Sequence, residues 1–226
     1  MLAMRWDNLF DDLEGQLDAE IESAEHSVHE DEERHRQSKL TLHDRLRNLT
    51  LAHPSVSKNG TDNVDSEQDV ITLTLTSGIC LAISIMRHGS DWFAVDIVSP
   101  LALEGHAIIP IAGVAMVHPR ASQVTAMLGV SVAGELGCLD LSTRPPRAVP
   151  RLADTLGLGF VLRDLARRRG TLEIHTVQGV FVGTLDRVGA DHCDLAEHAP
   201  WAARREASVR SYRVLTLASI ALIRIL

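Results

Sequence analysis

The first fifty residues follow a helical pattern of apolar and polar positions. The apolar stripe thins after Ala24, and residues 26–37 are nearly all polar. A shorter stripe over residues 40–51 predicts a second helix. In the first helix, spacings of three and four residues place five large side chains on one face: Trp6, Phe10, Leu13, Leu17 and Ile21. We predict an acidic helical segment over residues 1–52, with this face as a candidate binding surface for a protein partner.

A linker is predicted over residues 53–69, which contains Pro54 and the pair Asn59-Gly60. After it, apolar residues recur at every second position instead of at helical spacing. Alternating apolar and polar positions predict β-strands, and Gly, Asp and Ser between them predict turns. The five strands predicted first are 70–76, 79–86, 92–98, 106–111 and 114–118. A second linker is predicted over 120–150 and a helix over 152–169. Five further strands follow at 171–177, 180–188, 192–198, 208–215 and 220–225.

The two strand regions resemble each other residue by residue. Gly89–Val95 matches Gly189–Leu195 at an offset of 100 residues, and Ile108–Met116 matches Val214–Leu222 at an offset of 106. The additional six residues fit a longer loop in the second copy. The economical interpretation is one supersecondary unit used twice.

A helix followed by five short strands resembles the Sm-like (LSm/Hfq-type) fold, a small bent β-barrel. The residues that carry the resemblance are Gly179, Gly183–Leu185, Val188–Asp191 and Leu195. It spans residues 152–225 and, more faintly, residues 70–118. It implies RNA binding and assembly through exposed edge strands. The whole chain also resembles a group of uncharacterised actinobacterial proteins.

The sequence departs from the Sm-like pattern at the positions that contact bases in that family. Asp194 stands in place of the family's asparagine, with Ala94 in the other copy, and the Arg-Gly turn before the last strand is absent. The expected fold is α+β: an acidic helical segment (1–52), a linker (53–69), a first Sm-like five-stranded barrel (70–119), a second linker (120–150), and a helix with a second barrel in tandem (151–226).

The net charge of −8 is distributed unevenly along the chain. Residues 1–35 hold twelve acidic side chains against Arg5 and Arg34, whereas residues 144–226 hold thirteen arginines against eight acidic side chains. Opposite signs at the two ends favour separate partners, or an acidic segment that covers a basic one. A solvated acidic helix face is the simpler alternative.

The basic C-terminal region supplies the candidate nucleic-acid site. Arginines near a helix C-terminus are also expected there for the helix dipole alone, so solvated charge stays an alternative interpretation. Trp201 is interpreted either as a base-stacking platform or as a plug over the barrel end. The candidate nucleic-acid residues are Arg163, Arg167, Arg168, Arg169, Arg204, Arg205, Arg210, Arg213 and Trp201.

Catalytic, cofactor and metal motifs are not found in the sequence. No G-x-S-x-G, Walker A or H-E-x-x-H run occurs. His192 and Cys193 alternate to opposite strand faces, so they cannot share a metal. Cys80 and Cys193 are expected in the core. We therefore expect a non-enzymatic protein without cofactor or bound metal.

The remaining expectations concern location and assembly. No apolar run approaches the ~20 residues of a membrane span, and the acidic N-terminus is unlike a signal peptide, so a cytoplasmic protein without membrane contact is expected. Residues 220–226 are apolar on both strand faces, which predicts pairing with the other barrel or with another subunit. Two functions stay open: RNA binding by the C-terminal barrel, or a protein-interaction module that forms homo-oligomers through barrel edges and recruits a partner through the N-terminal helix.

Overall fold

The computed structural model describes residues 3–52, 70–129, 152–201 and 205–226, while the side chains of residues 3–13, 18, 19, 22, 25, 52, 152 and 153 lie outside this description. The chain divides into two units, Met1–Thr41 and Leu42–Leu226. The first unit contains helix α1, Ala3–Ser38. Its polar second half stays helical because neighbouring side chains pair along the surface: Arg34 with Asp31 at 2.7 Å and Arg36 with Glu33 at 2.6 Å.

The second unit is built around ten antiparallel strands, which confirms the strands predicted from alternation. Three α-helices accompany them in the described residues. The elements are α2 (Leu42–Ala52), β1 (Val70–Leu75), β2 (Cys80–His88), β3 (Trp92–Ser99), β4 (Gly105–Pro110), β5 (Val114–His118), α3 (Ala121–Leu128), α4 (Leu158–Arg168), β6 (Leu172–Thr176), β7 (Gly179–Val188), β8 (His192–Glu197), β9 (Ser211–Thr216) and β10 (Ile220–Ile225).

The prediction of two tandem Sm-like barrels is wrong. The strands form one open sheet in the order β5-β1-β2-β3-β4-β10-β6-β7-β8-β9. A barrel in the first half would require β4 to pair with β5. Instead the 3-10 turn Ile111–Gly113 directs β5 back to β1, and β4 pairs with β10 from the second half. Among the described strands, the edges of the sheet are therefore β5 and β9.

The two halves nevertheless repeat one strand arrangement. The order β5-β1-β2-β3-β4 corresponds to β10-β6-β7-β8-β9. The pairing of Ala94 with Ile108 corresponds to that of Asp194 with Val214, at the offsets found in the sequence.

Each half has a hydrophobic core that takes residues from the other half. Ala221 and Leu222 of β10 pack in the core of the first half. Trp92 and Ile108 pack in the core of the second. Because neither core is complete without the other half, the two halves fold as one body.

Strand β10 is buried on both faces, as its composition predicted. Ile220 to Ile223 have no exposed surface. Gly113 packs directly on this strand, where an added Cβ would lie 2.7 Å from the Ala221 carbonyl oxygen. Only glycine permits this close approach, which brings the first half against β10.

Helices α2 and α3 cover the core of the first half. Leu46 and Leu49 of α2 and Met127 of α3 are buried in it. The buried Gln123 amide donates a hydrogen bond to the Val70 carbonyl oxygen at 3.0 Å. Helix α3 thus occupies part of the predicted linker 120–150, of which residues 130–150 lie outside the described residues.

Candidate nucleic-acid interface

Helix α4 and its C-terminal cap carry four of the eight predicted arginines, and the start of the helix is fixed by the first half of the sheet. The Asp91 carboxylate accepts a hydrogen bond from the Leu158 amide at 2.7 Å, which satisfies one of the unpaired donors of the first turn. The Trp92 indole donates to the Leu156 carbonyl oxygen at 2.8 Å. Leu158 and Leu162 are buried, so the opposite face of α4 carries its arginines to the surface.

An open groove of about 520 Å³ lies between α4 and β7. We call it the arginine groove. Arg163, Arg167 and Arg169 of the predicted set line it, and Arg187 joins them from β7. Phe160 contributes an exposed aromatic ring.

The charges of the groove are only partly balanced. Asp164 pairs with Arg167 at 3.1 Å and with Arg168 at 2.7 Å, so one carboxylate serves two guanidinium groups. Asp186 also lines the groove. Within the described ranges, no ion pair joins Arg169 or Arg187 to a carboxylate. The local charge is therefore positive.

Arg169 ends α4 in the left-handed backbone conformation, with φ at 53°. Glycine is the usual residue at this position because a Cβ is unfavourable there. Gly170 follows immediately but does not take the position. The backbone therefore places an arginine beside the groove at an energetic cost of about 1 kcal/mol.

The other predicted arginines lie away from α4. Arg213 of β9 lies over the Phe181 ring at 4.7 Å and donates a hydrogen bond to Glu197 at 2.7 Å. This contact, with a second hydrogen bond from Ser211, lowers the pKa of the Glu197 carboxyl. Because Arg213 is already neutralised locally, it is a weaker candidate for phosphate contact.

Four further predicted residues belong to the segment between β8 and β9. Arg205 and Arg210 are exposed, and Arg204 lies outside the described residues. Trp201 is 86% exposed. The interpretation of Trp201 as a plug is therefore wrong, whereas its ring face is accessible for stacking.

Arg187 was missed by the sequence prediction. It follows an irregularity in the β7–β8 register between Leu185 and Arg187, and Arg87 follows the equivalent irregularity between Ile85 and Arg87. An arginine at the same place in both copies of the repeat is the signal that could have singled it out.

Other chemistry is sparse in the part of the chain that the structure describes. Cys193 is buried, which raises the pKa of its thiol to about 11, while Cys80 is exposed, contrary to expectation. No group of three or more metal-ligating side chains occurs among these residues, and none of their helices could cross a membrane.

The predicted partner-binding face of α1 is only partly described. Leu17 and Ile21 are exposed. Trp6, Phe10 and Leu13 lie on the helical backbone of α1, but their side chains are outside the described ones.

Three comparisons bear on the family of the chain. No protein-family model, curated protein or solved structure matches it.

Proposed function

We propose that this protein binds single-stranded nucleic acid, RNA in the first instance, through the arginine groove. The observation that carries the proposal is the convergence of Arg163, Arg167, Arg169 and Arg187 on one open groove. Guanidinium groups recognise phosphate oxygens through paired hydrogen bonds, and several of them along one groove suit a phosphate chain.

A single strand is favoured over a duplex by Phe160. Its exposed ring lies among the arginines, and an aromatic platform beside a basic groove is the usual arrangement for unpaired bases. Stacking of this kind needs bases that are free of a partner strand.

The first test measures binding of a fluorescent single-stranded RNA to the full chain at several salt concentrations. In the double variant Arg163→Gln/Arg187→Gln, we expect affinity to fall at least about tenfold, which is roughly 1.4 kcal/mol. The salt dependence should also weaken by about 0.7 in the log–log slope for each phosphate contact that is lost.

Arg205→Gln/Arg210→Gln is the matched control, because it removes the same two charges from exposed arginines outside the groove. Equal losses in the control and in Arg163→Gln/Arg187→Gln would mean unspecific attraction. Absence of binding by the wild-type chain would refute the proposal outright.

Arg169→Gly separates binding from folding. Glycine relieves the left-handed backbone, so we expect the free energy of unfolding to stay equal or to rise by up to about 1 kcal/mol. RNA affinity should fall severalfold because a guanidinium is lost from the groove. A variant that is less stable, or that binds RNA as well as the wild type, would contradict this assignment.

A second function, assembly through the free sheet edges, is supported by the internal repeat. At the β4–β10 junction Ile108 is 7% exposed, whereas its counterpart Val214 on the free edge β9 is 70% exposed. Pairing β9 with β5 of another copy would cover it. The register of the internal junction, Ile108 opposite Ile223, places Val214 opposite Val117 of that copy.

This contact would be looser than the internal junction. Ser219 takes the place of Gly113, which packs against the Ala221 backbone. Sedimentation velocity tests the assembly: Val214→Lys should reduce species larger than a dimer, and Val177→Lys, at an exposed valine in the β6–β7 turn, should not. A wild-type chain that forms no species larger than a dimer would exclude this function.

A further inference from the structure

Helix α1 carries an apolar stripe, and the large members of it whose side chains are described are exposed. Leu17 is 57% exposed, Ile21 48% and Val28 59%. An ideal helix turns 100° per residue, so the stripe from Trp6 to Val28 stays within about 80° of the helix circumference. It extends over about 33 Å at 1.5 Å per residue.

The spacing of the stripe is symmetric about Leu17. Leu13 and Ile21 lie four residues to either side of it, Phe10 and Ala24 seven, and Trp6 and Val28 eleven. The sizes are also complementary, because the two largest side chains have the smaller Ala24 and Val28 as their counterparts.

We propose that α1 pairs with α1 of a second copy of this chain, antiparallel and centred on Leu17. In this arrangement Leu17 meets Leu17 of the second copy and Leu13 meets Ile21. Phe10 fits over Ala24, so large and small side chains interdigitate as they do in packed helix pairs. The pairing uses neither the arginine groove nor the sheet edges.

Full burial of the stripe, counted from its residue types alone, would give an interface of ordinary size. Trp and Phe bury about 150–250 Å² each. A Leu, Ile or Val side chain that becomes buried loses roughly 60–120 Å² of accessible surface. This range follows from a transfer free energy of about 1.5–3 kcal/mol at about 25 cal/mol per Å². Each copy therefore contributes roughly 550–950 Å², close to the ~800 Å² per partner of an ordinary specific interface.

Charge sets the conditions under which the pair forms. Four acidic positions border one side of the stripe. In an antiparallel pair, this acidic border of one helix faces the same border of the other helix. These positions are Asp7, Glu14, Glu25 and Glu32. Because salt screens repulsion between exposed like charges, the dimer should strengthen as ionic strength rises, opposite to the binding of RNA.

Crosslinking of the full chain tests the direction of pairing. In a background with Cys80→Ala and Cys138→Ala, and with Cys193 buried, the variants Leu13→Cys and Ile21→Cys are oxidised separately and as a mixture. We expect the mixed 13–21 disulfide dimer to exceed either homodimer severalfold. Homodimers of each variant without the mixed species would mean parallel pairing and would overturn the proposal.

Sedimentation equilibrium tests the strength of the pair. Leu17→Asp should raise the dimer dissociation constant at least tenfold. Ser23→Asp adds the same charge at an exposed position off the stripe and should change it less than threefold. Circular dichroism verifies that both variants keep their helix content. A monomeric wild-type chain, or equal effects of the two substitutions, would refute the proposal.

Discussion

At the scale of single residues, a pair of histidines lies where α2 meets β2. The His88 ring meets His43 edge-on, with ring centroids 5.6 Å apart. Its Nε2 lies 3.0 Å from the Thr50 hydroxyl, which donates its one proton to the Arg47 carbonyl oxygen. His88 Nε2–H is therefore the donor to Thr50. Burial, with the nearby His43 and Arg47 charges, lowers the pKa of His88 from 6.5 to about 4.

This depressed pKa predicts acid sensitivity. Between pH 6.5 and 4 the unfolded chain binds a proton that the folded chain does not, so the stability present above pH 6.5 is lost as pH falls towards 4. We expect a loss of roughly 2 kcal/mol from this group. Urea unfolding at pH 7.5 and pH 5 measures it.

His88→Gln keeps a side-chain amide donor but cannot titrate, so it should remove much of this pH dependence. His106→Gln makes the same substitution at an exposed histidine and serves as the control. The assignment fails if His88→Gln loses as much stability on acidification as the wild type.

Individual arginines show how far sequence reasoning reaches. The run Arg167–Arg169 before Gly170 indicated a basic helix end, and α4 places two of its members beside the groove. Whether each charge is balanced depends on partners that only the fold brings close, such as Glu197 and Phe181 around Arg213. Spacing along the chain could not show this.

At the scale of elements, β10 has the largest structural role. Ile223 is fully buried and pairs with Ile108 on one side and Ile174 on the other. Alternation predicted each strand because it reports which face is buried. It could not predict that β4 pairs with β10 rather than with β5, because the choice of partner depends on contacts distant in sequence.

Ile223→Ala should therefore destabilise the protein by about 2–4 kcal/mol, since it leaves a cavity between the halves. Ile225→Ala, in the same strand but exposed, should cost less than about 1 kcal/mol. Chemical denaturation monitored by far-UV circular dichroism compares the two. Similar losses of unfolding free energy in the two variants would show that the β4–β10 junction contributes no more to stability than the exposed end of β10.

At the scale of the whole molecule, the boundary between the two structural units is also the boundary between an acidic segment and a segment of zero net charge. Residues 1–41 hold twelve acidic and four basic side chains, which accounts for the entire net charge of −8. The remaining residues, 42–226, carry equal numbers of acidic and basic side chains. The positive charge of the arginine groove is therefore a local arrangement on a neutral body, and it is the fold that concentrates it.

The central position of β10 affects how the protein is made. The ribosome synthesises Ile108 about 115 residues before Ile223, the residue that covers it. At ~5–20 residues per second, the β4 edge is without its partner for roughly 6–23 s. During translation the nascent first half therefore presents an uncovered apolar strand, and chaperones or neighbouring nascent chains can reach it before its own β10 emerges.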